Sequence, residues 1–368
     1  MIILGSGVSN YIILGGKRYS YFGGNNYLDL ANHPALKAAA ADAIEKYGIS
    51  FSASRQTTGT SEIHIELENL LSEFKNKKDS VTFASGYLGN SILLHTLRNR
   101  YSAIFIDELS HPSITDGIPA DVEKILCFEH CNPDHLESIL KRNRKYRPLI
   151  ITDGIFALTG EIAPLDKIYI LVRNYNGILV TDDSHSTGVL GNNGRGTPEF
   201  FHLDGAEDIY QSETMSKALG AYGGFISSDT GIIQTIKEKS HVYLSSTSLP
   251  PPVVAAACAS VRIVAGQSVL RTVLNENIRK IKNEVKKLDF NTLPDPTPIV
   301  PLLFSSSEHA KGLSDFLKEN SIIVPFITYP VRMNKFLVRI TVSAGHTNDQ
   351  IDELMFYLKK WKGSHESN

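Results

Sequence analysis

Between residues 80 and 226 the chain alternates short apolar runs with amphipathic stretches. The runs are Ser80-Val81-Thr82-Phe83, Ala103-Ile104-Phe105-Ile106, Lys124-Ile125-Leu126-Cys127, Leu149-Ile150-Ile151-Thr152 and Ile178-Leu179-Val180-Thr181, then Asp208-Ile209-Tyr210 and Gly223-Gly224-Phe225-Ile226. Apolar runs separated by helical segments predict a mainly parallel sheet covered on both faces. Ahead of them, residues 1–29 hold short β-like pieces such as Tyr11-Ile12-Ile13-Leu14. A helix is expected from Pro34 to Tyr47, with proline in its first turn and Gly48 as its stop. A second is expected near 62–76, after the polar loop 50–61. Residues 252–288 read as one long helix. The Pro-rich stretch 294–301 then opens a smaller α+β region: strand 299–304, helix 308–320, strand 336–342 and helix 348–361. The expected division is an N-terminal segment 1–33, a large domain 34–250 and a small C-terminal domain 251–368.

Bulk properties narrow the partners. A net charge of −2 provides no broad electrostatic footprint for nucleic acid or an anionic membrane. No uncharged apolar run approaches the roughly 18 residues of a membrane span. The start, Ile2-Ile3-Leu4-Gly5, lacks the charged and long apolar parts of a signal peptide. Three cysteines cannot build a disulfide framework. These features lead to the expectation of a cytoplasmic protein.

Sheets of this kind carry their chemistry in loops at the carboxyl ends of strands. Those loops contain Ser85-Gly86-Tyr87, Asp107-Glu108-Leu109-Ser110-His111, Thr152-Asp153-Gly154, Thr181-Asp182-Asp183-Ser184-His185 and Thr214-Met215-Ser216-Lys217. An Asp-His pair alone is weak evidence of function. A lysine one strand later changes the reading. A lysine amine condenses with an aldehyde, and a carboxylate keeps a pyridine nitrogen protonated. Hydroxyls and N–H groups at a helix start grip a phosphate. Together these are the requirements of pyridoxal 5′-phosphate (PLP).

The ordered set Asp182-Asp183-Ser184-His185, Gly188, Gly191, Gly194-Arg195-Gly196 and Thr214-x-x-Lys217-Ala218-x-Gly220 resembles the α-oxoamine synthase family, over about residues 25–361. The resemblance implies a fold-type-I PLP enzyme, α/β in class, with a large sheet domain sandwiched by helices and a smaller C-terminal α+β domain. It implies condensation of a small amino acid (glycine, alanine or serine, alanine-using members slightly ahead) with an acyl-CoA, usually with decarboxylation. Lys217 would condense with the cofactor aldehyde and later move protons at Cα. Asp182 would pair with the ring nitrogen, His185 with the ring hydroxyl, and His111 would stack on the ring. Ser85, Gly86 and Tyr87 would meet the cofactor at a helix N-terminus, and Thr214 and Ser216 would lie near its phosphate. Asp153 takes the place of an acidic residue at a strand end. Ser246 and Thr247 match a loop reaching the neighbouring subunit's phosphate, which implies a homodimer with shared active sites. Arg339 would bind the amino-acid carboxylate, with Asn25 close to it.

Several features depart from the family pattern. The leader before Asn25 is missing or short, which bears on CoA recognition. The loop Ile49-Ser50-Phe51-Ser52-Ala53-Ser54-Arg55 lacks the usual glycines and is expected to narrow the substrate pocket. Ala157 replaces a serine and Asp29 a glycine. Cys127-x-x-His130-Cys131, with His135 beyond, has metal-ligand spacing but no second cysteine pair, so no metal is expected. His64 is read as helix surface or packing rather than as catalytic. An aminotransferase or lyase of the same fold, or an inactive homologue, is the alternative reading.

Overall fold

The structure is a computed structural model that describes residues 2–327 and 335–365. The chain forms two compact units. The larger comprises Pro34–Phe156 and Ile162–Gln267, the smaller Met1–His33, Ala157–Glu161 and Ser268–Asn368.

The larger unit is built on a seven-stranded sheet. In chain order its strands are β1 (Asp79–Phe83), β2 (Ala103–Asp107), β3 (Lys124–Phe128), β4 (Pro148–Asp153), β5 (Ile178–Asp182), β6 (Ile209–Thr214) and β7 (Gly224–Ser228). Their order across the sheet is β1-β7-β6-β5-β4-β2-β3. All pairings are parallel except the two made by β7, which runs antiparallel to β1 and β6. Each apolar run of the sequence lies within one of these strands or overlaps it.

Alternation explains why the runs are apolar throughout. Ile104, Ile106, Leu149, Ile151, Ile178 and Val180 face one core, with Ile92 and Leu93 of the helix Gly89–Thr96 and with Ile233 and Ile236 of the helix Thr230–Lys239. Ala103, Phe105, Ile150 and Leu179 face the other, with Leu136 and Leu140 of the helix Pro133–Arg142 and with Ile168 and Val172 of the helix Leu165–Asn174. Burial of each large aliphatic side chain favours folding by roughly 1.5–3 kcal/mol. Neither face of the central strands is left to solvent.

The helices Pro34–Tyr47 and Glu62–Lys75 form where expected. The expected single helix 252–288 is two, Pro251–Gly266 and Val269–Lys287. Gln267 between them has φ −123° and ψ 78°, outside the helical region. Gly266 immediately before it is a weak helix former, so the chain breaks there. The larger unit therefore extends to Gln267, past the expected boundary at 250, and residues 1–33 cluster with the C-terminal part.

The smaller unit holds an antiparallel sheet of Ile299–Phe304, Phe336–Thr341 and Phe326–Ile327. A second sheet pairs Tyr11–Leu14 with Lys17–Tyr21, and Lys17–Tyr21 with Ile322–Ile323. The helices Ser307–Glu319 and Asn348–His365 complete it, close to the expected bounds.

Candidate active site

At the carboxyl ends of β4, β5 and β6 the larger unit has a pocket of about 300 Å³. That is enough for a small-molecule site. Ser85, Gly86, Tyr87, His111, Asp153, Asp182, His185, Thr214, Ser216 and Lys217 all line it. Ten positions spread over 133 residues of sequence thus meet in one place.

β5 ends at Asp182, with Asp183 next, and the two carboxylates go opposite ways. Asp182 lines the pocket, where Oδ1 accepts the Ser184 N–H at 3.0 Å and Oδ2 accepts the Asn90 amide at 2.7 Å. Asp183 is used up in structure. It accepts the Thr181 hydroxyl at 2.5 Å, the Thr197 N–H at 2.8 Å and the Gln211 amide at 2.6 Å. β6 repeats the division. Thr214 lines the pocket, while Glu213 is buried against Lys75 and accepts the Thr187 hydroxyl at 2.6 Å.

His111 both caps a helix and lines the pocket. It is the N-cap of the short helix Pro112–Asp116, where Nδ1 accepts the Ser113 N–H at 3.2 Å. Its backbone N–H donates to Asp153 Oδ2 at 2.9 Å. The Tyr87 ring meets its edge at 5.9 Å, and the Tyr87 hydroxyl is tied to Asp116. Burial holds the imidazole pKa below its ordinary value; Asp182 opposes this and Lys217 adds to it. Burial, with the Asp182 charge beside it, pushes the Asp153 carboxyl well above the usual carboxylate range. One of the two pocket acids thus favours its neutral form.

These residues fit PLP. Lysine, aspartate and histidine supply the three functions that its aldehyde, ring nitrogen and ring hydroxyl call for. The turn at Gly86 is shaped by close approach to Thr214. A Cβ on Gly86 would meet the Thr214 Cβ at 2.6 Å and Oγ1 at 2.8 Å, so only glycine lets that turn lie against the threonine. Ser85 accepts the Tyr87 N–H there at 3.3 Å, and the Ser216 N–H donates to Thr214 Oγ1 at 3.2 Å.

Ser246 and Thr247 do not line this pocket. The Ser246 hydroxyl donates to the Val242 carbonyl at 2.5 Å, and Thr247 bridges to Ser54. Residues 49–58 do not line it either. Arg55 is drawn into the fold by Glu68 at 2.8 Å and the Thr82 hydroxyl at 3.1 Å, so this loop is anchored by a buried charge pair. His64 is buried, with Nε2 at 3.0 Å from the Leu249 carbonyl, a packing role as expected.

Arg339 and Asn25 meet within the smaller unit. Arg339 is buried and donates to Asn25 Oδ1 at 3.0 Å and to Thr341 Oγ1 at 3.2 Å, while its Nε has no partner. A buried guanidinium with an unused donor calls for an acceptor. The Tyr27 hydroxyl donates to the same Asn25 oxygen at 3.2 Å, and burial pushes its pKa up to about 12. Asp29 sits at φ 57°, a left-handed backbone that glycine adopts freely.

Asp107, His130 and Cys131 also come together. Asp107 Oδ1 accepts the Leu109 N–H at 2.9 Å and lies 2.8 Å from His130 Nδ1; Oδ2 accepts the Cys131 N–H at 2.8 Å. Both oxygens are occupied, and the carboxylate acts as a brace for the loop that leads to His111.

Of Ser113, Ser184, Tyr27, Asn90 and Tyr222, the sequence motifs include only Ser184, and without a role. Ser113, Ser184 and Tyr222 line the pocket, and Asn90 holds Asp182 from behind it. Asn90 lies one turn past Gly86-Tyr87, at the start of the otherwise apolar helix Gly89–Thr96. Its polar side chain at a fully buried position was the signal available.

The profile of aminotransferase class I and II matches residues 20–358. An 8-amino-7-oxononanoate synthase of Thermoanaerobacter pseudethanolicus is 38% identical over 351 residues, covering 95% of this chain and 89% of its own. A serine palmitoyltransferase solved with PLP as an internal aldimine superposes with a TM-score of 0.92 at 27% identity, over 99% of this chain and 92% of that one. An 8-amino-7-oxononanoate synthase structure from Francisella tularensis gives a TM-score of 0.80 at 26% identity, over 95% and 98%. The chain belongs to the α-oxoamine synthase family of PLP-dependent acyltransferases, a branch of aminotransferase class I and II.

Proposed function

We propose that this enzyme condenses a small amino acid, alanine foremost, with an acyl-CoA and releases carbon dioxide and free CoA, as a cytoplasmic homodimer. The observation that carries the reading is the meeting of Lys217, Asp182, His185 and Thr214 in one pocket. Bound PLP supplies an electron sink for the pair of electrons left at Cα.

The chain's own residues divide the remaining work. Lys217 would hold the cofactor through its aldehyde and would move protons at the substrate Cα. Asp182 would hold the ring nitrogen protonated, and His185 would pair with the ring hydroxyl. The His111 ring covers one face and excludes water there. Asp153 holds the His111 backbone N–H and so sets the height of that ring. Ser85, Gly86, Tyr87, Thr214 and Ser216 surround the phosphate. Arg339 takes the substrate carboxylate, because a planar guanidinium can bind both oxygens, and Asn25 with Tyr27 aims it. Ser246 and Thr247, absent from the lining of their own pocket, fit service at a neighbour's phosphate.

The alanine preference rests on the relatives named 8-amino-7-oxononanoate synthase. Purified protein reconstituted with PLP is titrated with glycine, L-alanine and L-serine while the cofactor absorbance is followed. Thiol release from a panel of acyl-CoAs follows, and light scattering reports the oligomer. Wild-type protein that takes up no PLP would sink the reading. An aminotransferase or lyase would shift the absorbance but release no thiol. Arg339→Ala is expected to raise the amino-acid KM about 10- to 100-fold, the worth of a charged hydrogen bond. An unchanged KM removes Arg339 from the carboxylate role.

A further inference from the structure

Asn90 is fully buried, yet its Oδ1 has no hydrogen-bond partner. A buried carbonyl left unpaired costs stability. The reason lies at the other end of the amide. Nδ2 donates twice, to Asp182 Oδ2 at 2.7 Å and to Ser113 Oγ at 3.0 Å. An ionised Asp182 can only accept, so the amide must turn its nitrogen to the carboxylate and leave its oxygen outward.

The consequence passes along the chain of bonds. Ser113 Oγ already accepts from Asn90, so its own proton is free to go to His111 Nδ1, 2.8 Å away. The Ser113 backbone N–H points at that same nitrogen, at 3.2 Å. With two donors aimed at it, Nδ1 must be unprotonated. A neutral His111 therefore carries its proton on Nε2.

We infer that Asn90 is a positioning residue that sets two proton positions at once, holding Asp182 as an acceptor toward the pocket and fixing His111 as the Nε2–H tautomer through Ser113. It acts through those two side chains and touches neither substrate nor cofactor. The direction of each bond follows from the one before it, and no other assignment satisfies Asp182, Ser113 Oγ and the Ser113 N–H together. The inference rests on the proposed cofactor roles of Asp182 and His111, but its tautomer arm is independent of them.

The test uses the full chain, loaded with PLP and labelled with 15N-histidine; His111→Gln identifies the His111 signals. Wild type is expected to show the neutral Nε2–H form. Asn90→Asp keeps the shape but replaces two donors by acceptors. The Ser113 hydroxyl then turns toward the new carboxylate, and the His111 signals should move toward Nδ1–H or the imidazolium. Asn90→Ala should weaken PLP binding about tenfold, as expected when a charge-assisted hydrogen bond is lost. Ser113→Ala should disturb the tautomer by removing the hydroxyl donor while leaving the Asn90–Asp182 bond in place; it also serves if the Asn90 variants fold poorly. An Nδ1–H tautomer in wild type overturns the inference and leaves the proposed function standing. So does an Asn90→Ala protein that is less heat-stable but unchanged in tautomer and PLP affinity. Wild type that binds no PLP, yet shows the Nε2–H tautomer, overturns the proposed function and not the tautomer assignment.

Discussion

The carboxyl ends of β5 and β6 carry buried polar groups on both sides, and the two sides are finished differently. On the pocket side each Asp182 oxygen has one donor, and Thr214 and Lys217 line open space. On the far side Asp183 takes three donors, and Glu213 faces Lys75, whose amine also reaches the Arg195 carbonyl. Sequence neighbours one residue apart thus serve opposite ends. The far side locks the strand ends and the glycine-rich turn 188–196 together. The pocket side presents Asp182, His185, Thr214 and Lys217 to the pocket. A site this polar can stay preorganised because the packing that holds it lies behind it, among buried groups bonded to one another.

The largest test of this division is Lys217→Ala. Turnover should fall by at least roughly 10²–10⁴-fold, the range for a lost acid–base group. Thermal stability should change by less than about 1 kcal/mol, because the residue lines the pocket wall. A large drop in melting temperature would erase the distinction between the two sides.

Lys75→Met should do the reverse. It strands Glu213 in a fully buried site, at a cost of about 3–5 kcal/mol. Burial already holds the Glu213 pKa above its ordinary value, with Lys75 opposing, and Oε2 has no partner. Without the lysine that pKa rises further. The folded chain then keeps a proton that the unfolded chain releases, so stability falls as pH rises above the usual carboxylate range. Melting temperatures of the variant across pH 5 to 8 measure that slope, and a variant flat in pH, or as stable as wild type, counts against the brace.

How much of this was visible in the sequence depends on which side is considered. The strands announced themselves because two-sided burial makes whole runs apolar, as in Ala103–Ile106. Their direction did not, since β7 carries the same signal whether it runs parallel or not. Lys217, Asp182 and His111 were legible because motifs put rare chemistry at strand ends. The far side was not. Asp183, Glu213 and Lys75 look like neighbours of function or like surface charge, and their pairing spans 138 residues of sequence between Lys75 and Glu213. Asn90 was hidden for a related reason, because its partner Asp182 lies 92 residues away. The helix break at Gln267 was missed because the apolar pattern continues across it.

Gly196→Ala probes the same brace with a smaller step. Gly196 has φ 99°, and a Cβ there would lie 2.1 Å from Asp183 Oδ2. The expected cost is about 1–3 kcal/mol of stability for the strained backbone and displaced carboxylate. Turnover per folded molecule should stay close to wild type, and a selective loss of turnover at unchanged stability would place Asp183 on the functional side.

The finest test falls on Asp153, a pocket residue that behaves partly like the far side. Burial first, then the Asp182 charge, pushes its carboxyl well above the usual range, while the His111 N–H and Lys217 pull it back. A protonated Asp153 accepts the His111 N–H as an amide oxygen would. Asp153→Asn should therefore keep turnover within about tenfold, under ~1.4 kcal/mol of barrier. Asp153→Ala, which drops the acceptor and frees the His111 turn, should lose more. The pH dependence follows from the same proton. Folded wild type holds it where the unfolded chain has lost it, so wild type loses stability as pH rises from the usual carboxylate range through the raised value. The asparagine variant has no such proton, so its melting temperature should gain on wild type over that interval. If instead asparagine is as damaging as alanine and the two melting curves run parallel in pH, Asp153 is ionised in the pocket. Two negative charges would then stand there, and the lone-acceptor arrangement assigned to Asp182 would have to be redrawn.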